Sequence, residues 1–165
     1  MTLSPTWVID TSSIIEVRRC QNAQKAAIFH GMSELVNAER LVFPPEVLAE
    51  LQRRADPDNP DAQYRWARLN APSAVANAKC SFEEVAQVLA VVPQVLDPDK
   101  DSGVEEGDPY VLAAAFRLRA AGIDARVVTE ERHDTPKKMS MSTAAGVLGI
   151  PSVPLHAFLS AERIS

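Results

Sequence analysis

The sequence predicts an α/β fold: a three-layer sandwich with a short parallel sheet of four or five strands and helices on both faces. Three observations lead there. Short apolar, β-rich runs alternate with longer segments of helical periodicity, the pattern that builds βαβ units with right-handed crossovers. Hydrophobic residues make up 46% and charged residues 24% of the 165, a globular mix that excludes disordered, collagen-like and low-complexity readings. No internal repeat or long linker breaks the pattern, so a single domain over residues 1–165 is expected.

The elements follow in order. Thr-Trp-Val-Ile (6–9) reads as the first strand and stops at Asp10. Ser12 and Ser13 are cap-type residues, and Ile14, Ile15 and Val17 then suggest a helix. Residues 23–38 carry apolar positions at helical spacing (Ala27, Ile28, Met32, Leu35, Val36). Arg-Leu-Val-Phe (40–43) reads as the second strand, ended by Pro44-Pro45, with Pro45 at the first position of the next helix. Asp-Pro-Asp-Asn-Pro (56–60) breaks the chain, and helices are expected over 61–69 and 82–91. Asp108-Pro109 opens a strong helix over 110–121, closed by Gly122. Ala-Arg-Val-Val-Thr (125–129) is the third strand. A short helix ends at 147–149, residues 151–153 form a fourth strand, and 156–163 a terminal helix.

Charge narrows the function. Seventeen basic residues against 22 acidic give a net charge of −5, which argues against binding through a broad cationic surface. The acidity is local, with eleven acidic and four basic residues between 56 and 110. No apolar run approaches the ~20 residues of a membrane span, and residues 1–9 lack a secretory layout. The expected compartment is the cytoplasm, with no membrane partner. Cys20 and Cys80 fit reduced thiols in small apolar roles. Trp7 and Trp66 are expected in the core, and His30, His133 and His156 have no paired ligand spacing. There is no GxxxxGK[ST], GxSxG or HExxH motif, which leaves triphosphatase, serine-hydrolase and zincin readings without local support.

In parallel sheets, ligands bind beyond the carboxyl ends of the strands, at the topological switch point. Asp10 ends the first strand; Glu46 and Glu50 share a face of the helix after the second; Asp108 begins the helix before the third; Glu130 and Glu131 follow it. Each has an ordinary alternative. Asp10 and Asp108 read as helix caps, although Ser12 and Ser13 can cap the first helix, and Glu50 can pair with Arg54 at i+4. Brought together, two carboxylates ~5 Å apart repel by roughly 3 kcal/mol at an effective dielectric near 20, so the cluster calls for cations. Hard oxygen ligands without histidine or cysteine suit Mg²⁺ or Mn²⁺, which can activate a water for phosphodiester hydrolysis.

Four segments carry a resemblance. Thr-Trp-Val-Ile-Asp-Thr-Ser-Ser-Ile-Ile (6–15), Phe-Pro-Pro-Glu-Val-Leu-Ala-Glu-Leu (43–51), Asp-Pro-Tyr-Val-Leu-Ala-Ala-Ala (108–115) and Val-Val-Thr-Glu-Glu (127–131) resemble, in order, the motifs of PIN-domain proteins, many of them VapC-type toxin ribonucleases. The resemblance implies a PIN-like fold and a metal-dependent endoribonuclease, the toxin of a toxin–antitoxin pair. It places the family's acids on Asp10, Glu50, Asp108 and Glu131, with Glu130 as the alternative fourth acid and metal ligand. It also implies an RNA substrate, a cognate antitoxin and a homodimer, for which the apolar faces at 14–17 and 27–36 offer surface, although burying them in the core is the simpler reading. The segment Glu-Glu-Arg-His-Asp-Thr-Pro-Lys-Lys (130–138) departs from the family's usual Asp-x-Asp-Phe ending and looks like an uncharacterised PIN-like branch. That departure motivates a second expectation, a catalytically silent scaffold binding a protein or RNA partner. Arg132, Lys137 and Lys138 are candidate contacts to RNA phosphates. Asp97-x-Asp99-x-Asp101 resembles a calcium loop, but Ser102 stands where that loop needs glycine.

Overall fold

The computed structural model describes residues 3–99 and 106–165. A strand β1 (Thr6–Ile9) leads through helix α1 (Thr11–Glu16), a 3-10 turn (Val17–Arg19) and helix α2 (Asn22–Asn37) to strand β2 (Leu41–Val42). Helices α3 (Pro45–Arg54), α4 (Ala62–Ala74) and α5 (Phe82–Val91) follow, then a second 3-10 turn (Pro93–Val95) and helix α6 (Gly107–Ala120). Strand β3 (Ala125–Val128), helix α7 (Met141–Val147), strand β4 (Ser152–Val153) and helix α8 (Leu155–Ala161) complete the chain. The four strands form one all-parallel sheet in the order β2-β1-β3-β4, flanked by helices as a three-layer α/β sandwich. Among the described residues no helix is long and apolar enough to cross a membrane.

Local chemistry sets most boundaries. Pro45 occupies the first turn of α3, where its missing N–H costs nothing. Ser81 and Glu84 close a reciprocal capping box on α5. Beyond α6, Gly122 adopts φ +86°, and Ile123 N–H turns back to the Leu118 carbonyl at 3.0 Å. One expectation changes. The helix expected to end at 69 runs across Pro72 to Ala74, because Trp66, Ala67, Asn70 and Ala74 form a buried face. Of the two readings of the apolar faces at 14–17 and 27–36, the simpler holds for Ile14, Val17, Ile28, Met32 and Val36, which are all core. Trp7 and Trp66 are core residues as expected, and Cys20 and Cys80 are free.

The topology positions the site. From β1 the chain moves outward to β2 on one side, then returns to β3 on the other. The carboxyl ends of β1 and β3 are therefore the switch point. Register holds them level: Ile9 pairs with Val128, and Asp10 N–H donates to the Val128 carbonyl at 3.1 Å.

Candidate metal centre

Asp10 stands where β1 gives way to α1 and is 2% exposed. Its extended backbone makes it the N-cap of α1, and its Oδ1 accepts the Ser13 N–H at 3.0 Å and the Ser12 hydroxyl at 2.7 Å. Capping falls to the acid, not to the serines, and Asp10 still lines the cavity. Glu50 reaches from α3, where its Oε1 accepts the Thr11 hydroxyl at 2.9 Å and the Gly107 N–H at 3.0 Å. Glu50 therefore bridges the first turns of α1 and α6. Asp108 lies inside the first turn of α6, with Glu106 at the cap position. Its carboxylate is consequently not a cap, and its Oδ2 accepts from Lys138 Nζ at 2.9 Å. Glu131, two residues past Thr129, takes the other side of the same ammonium.

These five side chains line one cavity of about 300 Å³, with Thr11, Ser12, Arg54, Asp97, Glu106, His133 and Thr135. The structure thus brings Asp10, Glu50, Asp108 and Glu131 together. It separates Glu130, expected as a possible metal ligand: its carboxylate turns to the Leu155 N–H of α8, 2.5 Å away, beside a different pocket. Alternation after β3 sends consecutive acids to opposite sides. Of the candidate phosphate contacts, Arg132 Nη1 donates to Ser152 Oγ at 3.0 Å, Lys137 pairs with exposed Asp99 at 3.1 Å, and Lys138 lies among the acids. Of the calcium-loop positions, Asp101 and Ser102 fall outside the described residues.

Sequence reasoning missed several partners. Gly107 matters because a Cβ there would lie 2.1 Å from Glu50 Oε1, so glycine leaves the space that the carboxylate fills. Thr11 and Thr129 supply buried hydroxyls, Thr129 bonding the Asp10 carboxylate. Asp97 and Glu106 had a signal in the acidic run, His133 in its place within the charged loop 130–138, and Arg54 only in its i+4 spacing from Glu50.

Electrostatics express the crowding. Burial, then the charge of Asp108, pushes the Asp10 carboxyl up to about 7 against hydrogen bonds that favour its ionised form. Burial and Asp108 also raise Glu131, while Lys138 moderates it. Burial disfavours the Lys138 ammonium, but Asp108 and Glu131 outweigh it and hold its pKa above the ordinary lysine value. Among the described residues, six carboxylates thus share the cavity with two permanent cations, Arg54 and Lys138. The donor set, all oxygen and rich in carboxylate, fits a hard divalent cation. Among the described residues no three acidic, histidine or cysteine side chains are arranged as a ready-made metal cage, and Lys138 stands between two of the candidate ligands.

No curated protein matches the sequence. The family described as a domain of unknown function, DUF4411, matches residues 7–165, and the chain belongs to it.

Proposed function

We propose that this protein is a Mg²⁺- or Mn²⁺-dependent endoribonuclease that hydrolyses RNA phosphodiesters, with Asp10, Glu50 and Asp108 as the groups that would hold the ion. The single observation that carries this reading is the convergence of Asp10, Glu50, Asp108 and Glu131 in one cavity at the sheet's switch point. The resemblance to PIN-domain nucleases supports it. A bound divalent ion would supply a polarised phosphoryl oxygen and a more acidic water. The chain supplies the rest. Thr11 and Gly107 fix the Glu50 carboxylate, and Ser12, Ser13 and Thr129 fix that of Asp10. Glu131, raised above an ordinary carboxyl, would complete the shell around the ion or orient the attacking water. A toxin role with a cognate antitoxin, and a homodimer through a face other than the buried α1 and α2 residues, extend the proposal.

The test is cleavage of structured and tRNA-like RNAs with Mn²⁺ and with EDTA. Cleavage is expected to need the metal and to fall by about 100-fold or more in Asp108→Asn. Activity undiminished in EDTA would remove the reading. A specific observation favours a second one: Lys138 pairs with both Asp108 and Glu131 and offsets part of their charge without any ion, as a silent scaffold that binds a protein or RNA would require. That scaffold should show no Mn²⁺ binding that Asp108→Asn abolishes.

A further inference from the structure

The loop after β3 is built to hold one lysine inward. Asp134 Oδ1 accepts the Ser140 N–H at 2.9 Å and closes the segment 134–140. Within it, the Thr135 N–H donates to the Lys138 carbonyl at 2.9 Å, and the Lys138 N–H donates to Thr135 Oγ1 at 3.1 Å. The next residue anchors the turn from outside, Met139 N–H donating to the Gln94 carbonyl at 2.8 Å. Neighbouring lysines are sorted by this arrangement. Lys137 points to solvent, its side chain 70% exposed and paired with Asp99, whereas the Lys138 side chain is 18% exposed between Asp108 and Glu131.

We propose that Lys138 is the resident cation of the metal-free site: it holds the place of a divalent ion between Asp108 and Glu131, and the ion binds only as the ammonium gives up those contacts. This rests on the reading of the cavity as a divalent-metal centre. Carboxylate oxygens engaged by an ammonium at hydrogen-bond distance cannot at the same moment close around an ion. A single and a double positive charge confined to one half-buried space also repel each other. The two cations are therefore alternatives, and each weakens the other's hold on the same acids. The lysine keeps the fold from carrying unrelieved negative charge when divalent ions are scarce, and it sets a concentration threshold below which the site stays closed.

The test compares Mn²⁺ binding by calorimetry, and melting with and without Mn²⁺, in the wild type, in Lys138→Gln, which removes the charge, and in Lys138→Arg, which keeps it. Lys138→Gln is expected to bind Mn²⁺ about tenfold more tightly, to melt lower without metal, and to gain more from its addition. Lys138→Arg should behave as the wild type. A measurement on the wild type stands beside these: the lysine ε-methylene resonance absent from Lys138→Arg should shift and saturate as Mg²⁺ is added. Should Lys138→Gln bind Mn²⁺ no more tightly than wild type, or the resonance stay fixed while the metal binds, Lys138 is no competitor and the proposal is overturned, the nuclease reading standing. Absence of Mn²⁺ and Mg²⁺ binding in every form would overturn both.

Discussion

Asp10 combines a cap bond to Ser13 N–H at 3.0 Å with a carboxyl raised to about 7 by burial and by Asp108. The sign of its effect on stability follows. A raised folded pKa means that the folded chain keeps a proton the unfolded chain has lost, so the contribution is complete below about 4 and is lost as pH rises through about 7. In Asp10→Asn without metal, stability at pH 8 should exceed that of the wild type by on the order of 2–4 kcal/mol, and the difference should close toward pH 4. Urea denaturation at several pH values measures this, and a constant difference would contradict it. Gly107 allows a second expectation. In Gly107→Ala the new methyl would push the Glu50 carboxylate off its bonds to the Thr11 hydroxyl and the Gly107 N–H, so folding should weaken by about 1–3 kcal/mol and Mn²⁺ affinity should fall as well. Calorimetry of folding and of metal binding separates the two effects. The place of Asp10 was legible at the end of β1, whereas that of Gly107 was not, because a glycine before Asp-Pro reads simply as a helix-start residue.

Elements are held by contacts that propensity does not report. Helix α4 passes Pro72 because Trp66 Nε1 donates to the Phe29 carbonyl at 3.1 Å and to Ser33 Oγ at 3.0 Å, while Asn70 reaches the same hydroxyl. Packing against α2 thus carries the helix past the expected end at 69 and across a proline that propensity disfavours. The C-terminal end is fastened similarly. Glu162, just past α8, accepts from Trp7 Nε1 at 2.6 Å and from Arg40 Nη1 at 3.0 Å, joining the helix to β1 and to the entrance of β2. Trp7 also meets Phe158 edge-on, ring centroids 5.2 Å apart. Glu162→Ala leaves the indole N–H of a residue only 1% exposed without its acceptor, so a loss of about 1–3 kcal/mol is expected. Urea unfolding with an unchanged m-value checks it. The pair of short strands β2 and β4, two residues each, is where boundaries were hardest to place, since neighbouring apolar residues belong to loops.

At the level of the whole molecule, the sheet order brings residues 10, 50, 108 and 131 to one place. That much was readable in advance, because the acids follow or precede strands on one edge and parallel sheets put ligands there. The seat of Lys138 was not. A lysine in a polar loop reads as a solvated charge until the hydrogen bonds of Asp134 and Thr135 turn it inward. The choice between Glu130 and Glu131 likewise waited for α8, whose first N–H claims Glu130. A ligand that binds the folded state alone should stabilise the entire domain. Mn²⁺ at about 100 times its Kd is expected to raise stability by about 2.7 kcal/mol in the wild type and not in Asp108→Asn, as read by differential scanning calorimetry.

The level pairing of β1 with β3 has a further consequence. Trp7, Val8 and Ile9 are buried on both faces of the sheet, so greasiness alone does not tell the strand which way to slide. Deleting one residue from β1 would draw Asp10 back into the space between packed aliphatic side chains, where an ionised oxygen is costly. The first acid therefore polices the alignment of the central strands as well as lining the cavity. Single-residue deletions should be tolerated in the turn at 56–60 and lethal to folding in β1.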